Sequence, residues 1–258
     1  MNHRIAAIAS NTFREAVRDR VLYNLIGFAV LMAGASILVG QISIDIEKLV
    51  VVNLGLTVVS LFGVVIAIFI GIGLVSKEID KRTLYTVLSR PVQRWEFILG
   101  KFFGLAGTLA VNTACMAVGV FLSLMYVAHH LDKSDSSILV ALYFIVLQFV
   151  IVTALALLFS SFSSPLLSAV FAFSLFVIGS FSADLRGFAG MSKGAAHWLI
   201  TGVSYIVPNF SALNVITSAA HGDPIAGHLI LANTGYALLY TATVLCGAVL
   251  IFERRNLK

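Results

Sequence analysis

Residues 55–75 read GLTVVSLFGVVIAIFIGIGLV, and residues 76–101 read SKEIDKRTLYTVLSRPVQRWEFILGK. The first stretch holds no charged side chain. As a helix rising about 1.5 Å per residue it spans the roughly 30 Å hydrocarbon core of a bilayer. The second stretch is dense in charge of both signs. An uncharged block of spanning length that ends abruptly in a charged loop marks a helix leaving a membrane.

Five further apolar stretches of similar character flank this pair, at 21–40, 102–126, 138–161, 165–182 and 229–252, and none contains Asp, Glu, Lys or Arg. Over the 258 residues, 59% are hydrophobic and 11% charged, whereas a soluble domain carries about 45–50% apolar and about 25% charged residues. A mean hydropathy of +1.00 agrees. The sequence predicts an all-α polytopic membrane protein forming a single transmembrane domain over 1–258, with six transmembrane helices. Residues 165–182 are the shortest stretch, separated from 138–161 by only Phe162-Ser163-Ser164, and predict an antiparallel pair with a tight turn; a re-entrant segment is the competing reading.

The formal charge of +5 and a pI near 9.4 do not point to nucleic acid, because the basic residues sit at the ends of the apolar stretches. Lys and Arg resist translocation and accumulate on the cytoplasmic side. Arg4, Arg14, Arg18 and Arg20 precede the first stretch; Lys77, Lys81, Arg82, Arg90, Arg94 and Lys101 follow the second; Arg254, Arg255 and Lys258 follow the last. The intervening side holds only Lys48, Lys133, Arg186 and Lys193. This division predicts both termini in the cytoplasm of a bacterial inner, or plasma, membrane protein. The full-length first stretch, after some twenty residues mixing Arg with acidic side chains, reads as a retained anchor.

Residues 1–20 are amphipathic: Ile5, Ile8, Ala9, Thr12, Phe13, Ala16 and Val17 recur at helical spacing, with Arg4, Arg14 and Arg18 on the other face. Such a helix beside a span lies in the headgroup layer with Arg4, Arg14, Arg18 and Arg20 toward anionic lipid. It acts as an elbow fixing the first span's tilt, or as an elbow that also touches a cytoplasmic partner. The external segment 183–228 contains an apolar run from Trp198 to Val207, closed by Pro208 and too short to span, which predicts a re-entrant or interfacial helix. His129 and His130 are adjacent on a short loop, which does not supply the convergent ligands of a metal site. Cys115 and Cys246 lie inside apolar stretches, so neither a disulfide framework nor a thiolate metal site is indicated. Asn24, Asn112, Gln148 and Asn233 are polar groups within spans and read as interhelical hydrogen-bond partners.

Within 76–101, Ser76 is placed to cap a helix, Glu78 favours a first turn, and Glu78 and Arg82 are four apart in the stabilising order. Leu84, Val87 and Leu88 form one apolar stripe, and Pro91 interrupts it, since proline lacks an amide proton and biases Arg90 to extended backbone. A second helix from Val92 carries Arg94, Trp95 and Phe97 into the third span. The pattern predicts a helix–break–helix element along the membrane surface. A basic loop that only sets topology accounts for the cations but not for Glu78, Asp80 and Glu96.

Glu78, Arg82-Thr83-Leu84, Leu88-Ser89-Arg90-Pro91, Arg94 and Leu99-Gly100-Lys101 resemble the acidic–Thr-Leu–Leu-x-x-Pro–Gly-Lys signature of type-2 ATP-binding-cassette permeases. The resemblance extends over the elbow, the six spans, the external apolar segment and a Phe-x-Arg-Arg tail (Phe252 to Arg255), and is closest to permeases associated with maturation of multicopper enzymes. Arg82 stands where such permeases commonly have Gly. The resemblance implies that the loop is a cytoplasmic coupling helix seated on a separate ATPase subunit, with Glu78, Lys81, Arg82, Thr83, Leu84, Leu88, Arg90, Pro91 and Arg94 as contact or transmission residues. It implies no cofactor on this chain, ATP and magnesium on the partner, pairing with a second copy or a homologous permease, and export. Independently, no G-x-x-x-x-G-K-[ST] occurs. An ion-coupled secondary transporter is the alternative, but such proteins usually retain ionisable residues within spans. An intramembrane enzyme needs a convergent nucleophile and base, or metal ligands, at membrane depth; no such set is legible.

Overall fold

The computed structural model describes residues 2–17, 27–28, 31–32, 34–35, 37–38, 47–80, 93–128 and 135–254. These are nearly all helical, with no strand among them. In chain order they form α1 (Asn2–Ala16), α2 (Glu47–Asp80), α3 (Arg94–Ala128), α4 (Ser136–Phe162), α5 (Pro165–Ser180), α6 (Ser182–Met191), α7 (Ala195–Ile206), a 3-10 turn (Ser211–Leu213), α8 (Ile216–His221) and α9 (Gly227–Arg254). The apolar stretch 21–40 falls largely outside the described residues, although Phe28 and Met32 lie buried in the core.

Among the described residues, α2, α3, α4 and α9 are each long and apolar enough to cross a membrane. Two bent pairs, α5 with α6 (60°) and α7 with the 3-10 turn and α8 (51°), raise the number to as many as six if each counts as one crossing. Helix α4 is apolar on every face and packs among α2, α3 and α9, so the main core forms around Phe144, Phe149, Val152 and Leu155. A helix hydrophobic all round is a buried or membrane helix.

The local sequence explains most boundaries. Pro165 occupies the first turn of α5, where its missing N–H costs nothing, and Ser163 and Ser168 join hydroxyls 3.1 Å apart across the α4–α5 turn. Helix α7 stops at Ile206, two residues before Pro208, as the restriction on residues preceding proline favours. Gly222 ends α8 in the left-handed region (φ 74°), a conformation that glycine adopts without strain.

The charged loop departs from its expected form. Ser76 does not begin a helix: α2 runs unbroken from Glu47 through Ser76 to Asp80. The physical reason is that charge marks where a helix leaves the apolar layer, not where its hydrogen bonding stops. Lys77, Glu78 and Asp80 sit in the final turns without a proline or glycine to end them. The second helix runs into the third span as expected, since Arg94 to Lys101 are the first turns of α3.

Candidate functional site

The end of the bundle carrying the charged loop is built from the root of α3, helix α1 and the last turns of α9. Helix α3 starts with a capping contact: the Gln93 backbone N–H donates to Glu96 Oε2 at 3.0 Å, and Trp95 Nε1 donates to Gln93 Oε1. A Glu three residues into a helix that reaches back to the cap amide is one half of a capping box. Glu96 is 3% exposed, and its other neighbour is Arg4 of α1, with Nη1 4.0 Å from Oε2.

Lys101, only 2% exposed, lies inside α3 and not at the water-facing end of a loop. Its Nζ is 4.0 Å from Glu15 Oε2 and 5.6 Å from the centre of the Phe97 ring. Burying an ammonium is costly unless it is paired, and the acidic residue and the aromatic face supply that pairing. Phe97 in turn stacks on Phe252 of α9, with ring centres 6.0 Å apart, in a second core cluster with Ala16, Phe102, Leu105 and Ala248.

The closest approach at this end of the bundle is α1 against the α3 backbone. A Cβ on Gly104 would stand 2.6 Å from the Ala9 carbonyl oxygen and from Thr12 Cβ; one on Gly100 would stand 2.6 Å from Ile8 Cγ2. Gly100 and Gly104 are one turn apart, so α1 lies directly on the α3 backbone, as small residues at helix interfaces permit. The ion pairs contribute less. A pair at 4.0 Å with Arg4 half exposed is worth at most about 1 kcal/mol, so the steric fit holds α1 in place.

Of the residues expected to couple, Lys81, Arg82, Thr83, Leu84, Leu88, Arg90 and Pro91 lie outside the described residues. Glu78 falls in the final turn of α2 and Arg94 opens α3, so the two helices frame the loop. Arg4 and Arg14 are on α1 and exposed, whereas Arg18 and Arg20 lie outside the described residues, as do His129, His130 and Lys133. Sequence reasoning missed the α1–α3 seam of Gly100, Gly104, Glu96 and Lys101. The signal was present as G-x-x-x-G entering an apolar stretch.

The opposite end is fastened by polar contacts. Lys48 Nζ is 2.8 Å from Asp135 Oδ1, joining the starts of α2 and α4. Asn209 Oδ1 accepts from Ser182, Ser211 and the Ala212 amide, and the Asn209 N–H donates to Tyr236 of α9 at 2.7 Å. Gln148 Nε2 donates to Ser60 Oγ at 3.1 Å and Asn233 Nδ2 to the Ala212 carbonyl at 2.8 Å, bonds between elements. Asn112 contacts Met116 of its own helix, and Asn24 lies outside the described residues. Among the described residues no three His, Cys, Asp or Glu gather as metal ligands would.

Long apolar helices packed round a central one, with polar fastenings at both ends, define a multi-pass helical membrane protein. The family model for ABC-2 family transporter proteins matches residues 6–257, and the chain belongs to that family. It is therefore a membrane permease of an ATP-binding-cassette transporter, a transport subunit of a class that in general works with an ATPase and dimerises. No curated protein matches the chain.

Proposed function

We propose that this chain forms the translocation pathway of an exporter as a dimer, driven by a separate ATPase subunit that docks on 76–101, with both termini in the cytoplasm of a bacterial inner membrane. The residues assigned to that docking are Glu78, Lys81, Arg82, Thr83, Leu84, Leu88, Arg90, Pro91 and Arg94. Arg4, Arg14, Arg18 and Arg20 face the lipid headgroups, ATP and magnesium are bound by the ATPase, and the chain is one transmembrane domain. The observation that carries this reading is the α1–α3 seam: Gly100 and Gly104 seat the elbow helix on the segment into which the loop runs. Force delivered to the loop then reaches α3 directly and α1 through it, without a flexible joint at the root of α3.

The test is ATP turnover by the purified permease–ATPase complex carrying Glu78→Gln and Arg82→Ala. Turnover falls while the two subunits still copurify. Unaltered turnover in an intact complex would rule out the coupling role. Transport by the isolated chain under an ion gradient would instead favour the secondary-transporter reading.

A further inference from the structure

A cavity of about 230 Å³ lies between α2, α5 and the start of α8, at the end of the bundle opposite the charged loop. Asn53, Thr57 and Ser60 line it from α2, Asn214 and Thr217 from the other side, and Phe176 of α5 forms an apolar wall. Among the described residues, none that lines it is charged. The polar groups offer both donors and acceptors. Ser60 Oγ accepts from Gln148 Nε2, which leaves its own hydroxyl proton to donate, and Thr57 Oγ1 donates to Asn53 Oδ1 at 3.5 Å, which leaves the Asn53 amide to donate.

Depth and surroundings narrow the ligand. Helix α2 starts at Glu47, so Asn53 and Ser60 lie about 9 and about 20 Å along it. That interval covers the headgroup layer and the first part of the hydrocarbon of a bilayer about 40–45 Å thick overall. The cavity opens beside Leu61, and Leu61, Val65 and Phe69, one turn apart on an inclined row, are 51%, 39% and 66% exposed. A neutral polar cavity therefore continues into an apolar track directed toward the bilayer centre. The volume is that of roughly eight waters, enough for a glycerol-sized group.

We propose that this cavity binds the uncharged, hydroxyl-bearing headgroup of a glycerolipid of the diacylglycerol class, with an acyl chain along Leu61, Val65 and Phe69. Charge complementarity disfavours an anionic headgroup, because among the described residues no cation lines the cavity to repay its desolvation. The inference concerns binding, and it stands whether or not the ATP-driven reading holds.

The test uses the purified full chain in detergent micelles, with fluorescently labelled dioleoylglycerol and, for comparison, dioleoylphosphatidylglycerol carrying the same label on an acyl chain. Diacylglycerol binds saturably and is displaced by the unlabelled lipid, while phosphatidylglycerol binds only at background. The pair Asn53→Leu with Thr57→Val weakens diacylglycerol binding about tenfold, the loss of two modest hydrogen bonds. Thr217→Trp fills the cavity from its exposed rim and serves if the α2 pair does not fold; it gives at least the same loss. Equal binding of the two lipids, no saturable binding, or binding indifferent to both variants overturns the proposal. So does efficient disulfide dimerisation of Leu61→Cys in native membranes, which would place a second copy of the chain over the track.

Discussion

Replacing Gly104 by alanine tests the α1–α3 seam with the smallest available change. The added methyl would stand 2.6 Å from both the Ala9 carbonyl oxygen and Thr12 Cβ, and Thr12 is wholly buried. Both obstacles belong to α1 itself, and the oxygen is backbone, so no side chain can rotate away. Ordinary contact requires α1 to withdraw by about 1 Å, a gap at which packed atoms forfeit a quarter to a half of their dispersion energy. Overpacking of this kind costs about 1–3 kcal/mol. Gly107 is the control: it lies less than one turn further along α3, and among the described residues a Cβ there meets only Phe13, at an ordinary 3.8 Å. Both changes raise the helix propensity of α3 by about 1 kcal/mol, but α3 stays helical when α1 lifts off, so this gain cancels from the local opening. Amide hydrogen exchange followed by mass spectrometry reads that opening. In Gly104→Ala, exchange across α1 accelerates by roughly 5- to 150-fold, the equivalent of the 1–3 kcal/mol cost, while Gly107→Ala exchanges at the wild-type rate. Indistinguishable α1 exchange in the two variants would refute the steric seam.

Other consequences are accessible to thermal and chemical unfolding in detergent. Gly63→Ala brings a methyl within 1.9 Å of the Phe149 ring, whereas Gly73→Ala in the same helix meets nothing within 4 Å among the described residues; the former is the less stable variant by about 1–3 kcal/mol, and equal midpoints would contradict this packing. Glu96→Gln keeps an acceptor for the Gln93 amide, while Glu96→Ala removes it and costs about 0.5–2 kcal/mol at the start of α3; exchange at the first α3 amides distinguishes the two. Ser60→Ala strands the Gln148 amide, which is 5% exposed, at about 1–2 kcal/mol, and Gln148→Leu is better tolerated; the reverse order of melting points would show that the bond is not formed. Lys48 and Asp135 are coupled across 2.8 Å, so the double variant Lys48→Ala with Asp135→Asn loses less stability than the two single losses together, as a double-mutant cycle measures.

The helical membrane class was legible because lipid imposes one strong rule: backbone polar groups must be satisfied within the segment. That rule leaves long uncharged blocks, and α2, α3, α4 and α9 contain four of them. Gln148 was legible as an interhelical partner for a related reason, since a buried amide in an apolar helix seeks an acceptor. The limits were equally physical. Charge at Ser76–Asp80 reported the edge of the apolar layer, and α2 continues through it because backbone hydrogen bonding does not depend on side-chain charge. Lys101 read as the end of a loop, yet Glu15 and Phe97 cover it, and nothing near Lys101 in the sequence specifies a residue 86 positions earlier. Gly100 and Gly104 carried a packing signal, but which helix fills a glycine groove is settled by tertiary structure. The same holds for Lys48 and Asp135, two loop charges whose pairing depends on how α2 and α4 stand side by side.

The proposed function rests on a separate ATPase docking on 76–101. The most direct measurement places p-benzoylphenylalanine at position 84 or 88, irradiates intact cells and identifies the cross-linked chain by mass spectrometry. The claim predicts an adduct with a protein that carries a nucleotide-binding motif, formed from these positions and absent when the same group stands at position 238, an exposed site in the middle of α9. Adducts with lipid or with other proteins alone, in cells where the transporter is active, would contradict it.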